Sequence, residues 1–189
     1  WTFIDCPGSI ELAQDALNVI AIADIAVLVV EPGAEKAIAA TRAMKELDRA
    51  GLPYIIFINK MDGIEARVKA TLEALQGLTE RPLVLREIPI REGDDVTGHV
   101  DLVSERAYKW SGSGKSDLIE VPGELSGRTG EERTLLLETL ADFNDELLEQ
   151  LLEDVMPGTE DVYQNLGKDL QDGAIVPVFF GSAENESGI

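Results

Sequence analysis

Asn59-Lys60-Met61-Asp62 closes the apolar run Tyr54-Ile55-Ile56-Phe57-Ile58. A carboxylate held at the end of a buried strand suits recognition of a flat ring that carries two adjacent donors. Guanine presents such a pair to Asp62, N1–H and the N2 amine, and adenine does not. Lys60 can lay its aliphatic stem along a base, as long charged side chains do. Asn59 can tie neighbouring loops together by hydrogen bonds. A polar loop after a strand is the plainer reading of the same residues, so the motif needs company.

Two further segments supply it. Asp5-Cys6-Pro7-Gly8 follows the apolar start Trp1-Thr2-Phe3-Ile4. Asp-x-x-Gly at a strand end can bring a carboxylate near a Mg²⁺ ion, and the Gly8 amide near a γ-phosphate, because a glycine lets the backbone approach closely. Read alone, it is a common turn. Near the C-terminus, Ile175-Val176-Pro177-Val178-Phe179-Phe180 runs into Gly181-Ser182-Ala183. Small residues there let a backbone amide reach guanine O6. Three strand-then-loop units in this order are far more specific than any one of them.

The chain resembles the GTP-binding domain of bacterial elongation factor G, or of an elongation-factor-G-like paralogue. The likeness rests on Asp5-Cys6-Pro7-Gly8, on Leu52 through Asp62, on Gly98-His99-Val100-Asp101-Leu102-Val103 and on Val176 through Ala183. The long gap between Asp62 and Gly181 matches the subdomain inserted at that point in elongation factor G. The resemblance implies a P-loop-GTPase-type α/β fold, with a mostly parallel sheet, flanking helices and an inserted α+β subdomain. It divides the chain into GTPase core (1–81), insert (82–173) and a return to the core (174–189). Implied nucleotide-binding residues are Asn59, Lys60, Asp62, Ser182 and Ala183. Asp5 is the implied Mg²⁺ residue, acting through water. The implied ligands are GTP or GDP with Mg²⁺. The implied partner is the ribosome, with a ribosomal stalk protein docking on the insert.

One departure bears on mechanism. After Asp-x-x-Gly the family usually places a His that orients the attacking water, and this chain has Ser9. Phosphoryl transfer depends on positioning and charge stabilisation, so losing that group is costly. Gly8 and Ser9 are the catalytic candidates. Two function classes stay open: a ribosome-associated GTPase, and a GTP-dependent or degenerate switch that docks with little turnover. His99, the single histidine, is expected to cap an element or face solvent.

The chain begins at Trp1, and the family's phosphate-binding loop and first strands are expected upstream of it. A fragment lacking them is expected to bind nucleotide weakly, to be inactive alone and to self-associate through an uncovered sheet edge. Gly112-Ser113-Gly114-Lys115-Ser116 imitates a phosphate-binding loop. Lys109 stands where the motif needs glycine, and the following Asp117 to Pro122 reads as a strand rather than a helix, so a hairpin tip is expected.

Composition agrees with a cytoplasmic globular piece. The 189 residues are 44% hydrophobic, enough for a core, and a single cysteine rules out an internal disulfide framework. Cys6 reads as a small filler. No apolar run approaches a membrane span and no signal peptide is visible. The net charge of −20 argues against direct tracking of nucleic-acid phosphates.

Nearly continuous apolar runs predict parallel strands, buried on both faces, at 1–4, 25–30, 53–58 and 175–180. Helices are expected at 10–23, 34–50 and 64–76. Alternation over 83–121 predicts a small antiparallel sheet. Leu135, Leu136, Leu140, Phe143, Leu147, Leu151 and Leu152 fall near helical spacing, so one helix with a core-facing stripe is expected over 130–156, then another over 159–171. The acidic residues of 130–156 read as a solvated face, with a docking surface for a basic ribosomal protein as the alternative.

Overall fold

The computed structural model describes residues 1–62, 68–111 and 114–188. Its strands are β1 (Ala26–Val30), β2 (Tyr54–Ile58), β3 (Leu83–Leu85), β4 (Glu87–Glu92), β5 (Asp95–Asp101), β6 (Arg106–Trp110), β7 (Ser116–Ile119) and β8 (Val176–Phe180). Its α-helices are α1 (Ala13–Ile20), α2 (Ala34–Ala37), α3 (Thr41–Ala50), α4 (Val68–Gln76), α5 (Ser126–Ala141), α6 (Asp145–Leu152) and α7 (Thr159–Gln171). The first sheet is parallel, in the order β1-β2-β8-β3. The second is antiparallel, in the order β4-β5-β6-β7. The molecule is therefore α/β with an added antiparallel sheet, as the sequence predicts.

Two apolar cores follow from two sheets. Tyr54, Ile56 and Ile58 of β2 pack with Val176, Val178 and Phe180 of β8 and with Met44, Leu47, Val68 and Leu75 of the flanking helices. Ile88, Ile90 and Val100 pack with Leu136, Leu137 and Leu140 of α5, Leu147 of α6 and Val162 and Leu166 of α7. Fully burying one such aliphatic side chain is worth about 1.5–3 kcal/mol, so each cluster can hold its own layer. Leu85 touches both cores.

Local signals explain the element ends. α3 stops at Gly51, whose φ of 66° is left-handed. The Leu52 N–H then donates to the Leu47 carbonyl at 3.1 Å, closing the helix end as only a left-handed residue allows. α6 starts at Asn144, whose side chain accepts from the N–H groups of Glu146 (2.9 Å) and Leu147 (3.1 Å). Arg81, next to Pro82, donates to the Leu52 carbonyl at 3.0 Å and pairs with Asp48 at 3.3 Å. The chain is thus anchored to the parallel sheet before it enters β3.

Several expectations need correction. Residues 1–4 are not a strand, and Trp1, Phe3 and Ile4 are exposed. An apolar run makes a strand only where a neighbour offers main-chain partners, and no described strand pairs with this segment. β1 is an edge strand, with Val27 and Val29 58% and 57% exposed, so burial on both faces holds best for β8, while β2 buries one face and half-buries Ile55 and Phe57 on the other. The antiparallel sheet starts at β4, because Leu83–Leu85 pairs in parallel with Val176–Val178.

The expected 130–156 helix is two helices, broken where Asn144 caps α6. Leu136, Leu140 and Leu147 are core, but Leu135 and Leu152 are 57% and 77% exposed. The break changes the helix direction, so one periodic stripe cannot face one core throughout. The helix at 159–171 stands as expected. Of the expected 64–76 helix, 68–76 is α4 and 64–67 lies outside the described residues. Ser116, the last residue of the imitation phosphate loop, opens the strand Ser116–Ile119 that pairs with β6, while Gly112 and Ser113 of the expected hairpin tip lie outside the described residues. No described helix is long and apolar enough to cross a membrane.

Candidate functional site

The loops after β2 and β8 are stitched into one unit. Asn59 extends the β1–β2 pairing by donating its N–H to the Val30 carbonyl at 2.8 Å. Gly181 N–H donates to the Ile58 carbonyl at 3.0 Å, and Met61 N–H donates to the Gly181 carbonyl at 3.0 Å. The β2–β8 ladder therefore continues past the named strand ends. Between these bonds Lys60 adopts a φ of 61°, uncommon outside glycine. The Asn59 side chain compensates locally, because its Oδ1 accepts the Lys60 N–H at 2.8 Å.

That oxygen does a second job. It also accepts the Ala183 N–H at 2.8 Å, across 124 residues of sequence. The tie expected of Asn59 is present, and its partner is the Gly181-Ser182-Ala183 segment. The Ala183 amide that the sequence offers to a base oxygen is engaged by Asn59 in this structure. Ser182 is buried, its main chain exchanges hydrogen bonds with Ser187 at 2.8 and 2.9 Å, and its Oγ has no hydrogen-bond partner.

Gly181 is required by close approach. A Cβ there would lie 2.4 Å from the Ser187 carbonyl oxygen and 2.9 Å from the Phe57 ring. The turn from Ser182 to Ser187 thus folds back directly over the end of β8.

Met61 is fully buried, and its neighbours Lys60 and Asp62 face solvent. The buried methionine anchors the loop while the two polar side chains stay available. Lys60 Nζ pairs with Glu31, which also lies 3.4 Å from Lys36 Nζ. The Lys60 hydrogen bond holds the Glu31 carboxyl below its usual pKa, and Glu31 in turn raises Lys60. Sequence reasoning does not single out Glu31. Its one signal is its place directly after the β1 run, on the strand beside β2.

Asp5, Gly8 and Ser9 stand apart in character. All three are exposed on irregular chain. The hydrogen bonds of this loop among the described residues are local: Ser9 Oγ donates to Glu11 at 2.9 Å, and Leu12 N–H donates to the Ser9 carbonyl at 3.1 Å. Among the described residues no group of three or more His, Cys, Asp or Glu is gathered to hold a metal. One exposed carboxylate is a poor cage for Mg²⁺, but that ion usually takes only one or two protein carboxylates and completes its shell with water and substrate phosphates. Asp5 fits that limited part and no more.

His99 corrects an expectation. It neither caps nor faces solvent. It lies in β5, stacked on Tyr108 with ring centroids 5.3 Å apart, and accepts from Trp110 Nε1–H at 3.0 Å. The alternation of the strand places it with Thr97 and Asp101, opposite buried Val96 and Val100, and Tyr108 and Trp110 cover it on that face.

Comparisons with known proteins agree with this geometry. The family model described as the elongation factor Tu GTP binding domain matches residues 1–189. An elongation factor G-like protein of Synechocystis sp. is 38% identical over 187 residues, covering 99% of this chain and 28% of that protein. Elongation factor G 1 of Borreliella burgdorferi is 31% identical over 188 residues, covering 98% of this chain and 27% of that protein. A crystal structure from Thermus thermophilus superposes with a TM-score of 0.81 at 27% identity, over 96% of this chain and 27% of that one. The chain spans little more than a quarter of the length of these relatives. With stitched loops after β2 and β8 on a parallel sheet, and a family match from end to end, the chain belongs to the elongation factor Tu GTP-binding domain family.

Proposed function

We propose that this chain is the guanine-reading part of a translational GTPase of the elongation factor G type. Asn59, Lys60, Asp62, Ser182 and Ala183 form the base pocket, with Asp62 accepting from N1–H and N2–H of the ring. The observation that carries this reading is the Asn59 side chain, which joins the Lys60 and Ala183 amides and holds the two loops in fixed relation. A pocket assembled in advance wastes less binding energy on ordering. Asp5 contributes to Mg²⁺ through water. The bound ion would neutralise phosphate charge, and the base pocket on this chain fixes where those phosphates lie. The core and insert divide at 1–81, 82–173 and 174–189, and the parent works in the cytoplasm on the ribosome. The insert offers a docking face to a stalk protein. In the isolated chain the β1 edge invites self-association.

The decisive experiment replaces Asp62 by Asn in the full-length protein and measures competition of GDP with xanthosine diphosphate. An amide can donate to the xanthine C2 carbonyl, which a carboxylate repels. The expected outcome is a shift in preference on the order of a hundredfold, because a site built on paired hydrogen bonds rejects a ring that leaves its groups unpaired. A folded variant that keeps its preference for GDP sinks the reading.

A second reading is favoured by one observation. Ser9 stands where a water-orienting histidine is expected, and its hydroxyl is turned to Glu11. This reading makes the parent a GTP-dependent switch with little turnover. Multiple-turnover hydrolysis with and without ribosomes separates the two.

A further inference from the structure

The antiparallel sheet meets the Gly181–Gly188 turn at two points. The first is Glu87, where the chain leaves β3 for β4. Arg86 N–H still donates to the Val178 carbonyl at 3.0 Å, but the Arg86 carbonyl has turned to accept from Leu102 N–H at 2.9 Å. A continuing parallel ladder would give that carbonyl to the Phe180 N–H. The Phe180 main chain instead faces the Glu87 carboxyl, whose Oε2 is buried and without a hydrogen-bond partner. A side chain thus sits where the ladder would have continued, beside the last residue of β8 before the turn.

The second point is Trp110, at the end of β6. Its ring stands edge-on to Phe180 with centroids 6.3 Å apart. It also backs Gly188, where an added Cβ would lie 3.2 Å from Trp110 Cζ2. Trp110 Nε1–H donates to His99 Nδ1 at 3.0 Å, so a neutral His99 carries its proton on Nε2. That Nε2 lies 3.8 Å from Glu87 Oε1. His99, Glu87 and Trp110 therefore form a chain of contacts from one end of the turn to the other.

We infer that Glu87, His99 and Trp110 are positioning residues through which the inserted sheet sets the Gly181–Gly188 turn for guanine binding. This rests on the base-reading role proposed above. It also makes the setting sensitive to protonation. Burial pushes the Glu87 carboxyl up to about 8, with Asp101 adding to the rise, and burial holds His99 below its usual value. Near neutral pH the two are an uncharged acid and an uncharged imidazole rather than an ion pair.

The groups facing Glu87 are Asp101 and His99 on β5, Arg86 beside it in the chain, and the Phe180 main chain on β8. Arg86 is committed to Asp101 at 3.1 Å. Ionised Glu87 therefore faces Asp101, its direct partner in the β4–β5 register, and Arg86, which is shared with Asp101, offsets that repulsion less than burial and Asp101 raise the carboxyl. The sign follows. A carboxyl raised in the fold favours the fold below its unfolded value, about 4.3, and that advantage is lost as pH climbs through about 8. The brace weakens on the alkaline side.

The test measures fluorescent GDP affinity of the full-length protein from about pH 6.5 to about pH 8.5, for wild type and Glu87→Gln. The amide keeps the shape of the side chain and cannot ionise. Any ionisation of guanine N1–H affects both proteins alike, so the difference between profiles is the readout. Wild-type affinity is expected to fall roughly fivefold across this range, the lower end of coupling between two sites, while Glu87→Gln stays flat. Parallel profiles, with wild type binding GDP, overturn the brace alone. No GDP binding by wild type overturns the base-reading and the brace together. If Glu87→Gln fails to fold by circular dichroism, Trp110→Phe decides: it keeps a ring against Phe180 and Gly188 but loses the donor to His99. GDP release from it should quicken roughly threefold to fivefold, and an unchanged rate overturns the proposal.

Discussion

Two loops in this chain follow apolar runs and carry polar residues, and they are built differently. Asn59 to Asp62 is held by long-range bonds to β1 and β8 and by the buried Met61 side chain. Asp5 to Ser9 is exposed and bonded locally. On the function proposed above, the contrast separates recognition from chemistry. A base pocket must reject near-identical rings, so its donors and acceptors gain from fixed relative positions. A loop that answers to phosphates and a metal can take its final shape from those charged partners. The first loop is made by the fold, and on the proposed function the second is left for its ligand to shape.

Each arm of that contrast can be broken. The largest effect is expected at Gly181→Ala in the full-length protein. The new methyl would press on the Ser187 carbonyl at 2.4 Å, which is backbone and cannot swing aside. Overpacking of this kind costs about 1–3 kcal/mol or more. Thermal denaturation should show a destabilised fold and GDP titration a weakened site; wild-type values for both would mean that the turn is not tightly seated.

Asn59→Ala should cost somewhat less, roughly 2 kcal/mol, from leaving the Lys60 and Ala183 amides without their acceptor. Calorimetric titration with GDP should show the loss mainly as weaker base binding. If GDP affinity is untouched, water satisfies both amides and the side-chain tie is incidental.

Changes in the Asp5–Ser9 loop should act on rate and spare the fold. Ser9→His should raise ribosome-stimulated GTP hydrolysis roughly tenfold or more, by adding a group able to orient water. Single-turnover hydrolysis on ribosomes is the measurement, and no change would remove Ser9 from the catalytic position assigned to it. The smallest effect is expected for Ser9→Ala, which forfeits one exposed hydrogen bond to Glu11. Its melting temperature should correspond to a change within about 0.5 kcal/mol of wild type. A larger loss would show that this loop is structural after all.

The apolar runs of β2 and β8 made the parallel sheet legible, because a strand buried on both faces must read as unbroken hydrophobic sequence. The four residues Asn59 to Asp62 were a chemical signal only in company, because a polar loop after a strand reads the same until Asp5 to Gly8 and Gly181 to Ala183 stand in order with it. The sequence also separated Gly112 to Ser116 from a true phosphate loop, since Lys109 stood where glycine was required.

What the sequence could not decide depends on partners far along the chain. Trp1 to Ile4 has the composition of a strand, but pairing is a property of two segments, and no described strand takes it up. Whether Val27 and Val29 are covered follows from the place of β1 at the edge, which its own residues do not state. The break between α5 and α6 turned on a single cap at Asn144 inside a run of good helix formers. His99 had no local sign of its role. Its cover by Tyr108, its bond from Trp110 and its approach to Glu87 arise only when β4, β5 and β6 lie side by side. Local patterns are written in neighbouring residues, whereas the Asn59–Ala183 tie and the Trp110–Phe180 ring contact join groups far apart in sequence, and only the folded chain brings those together.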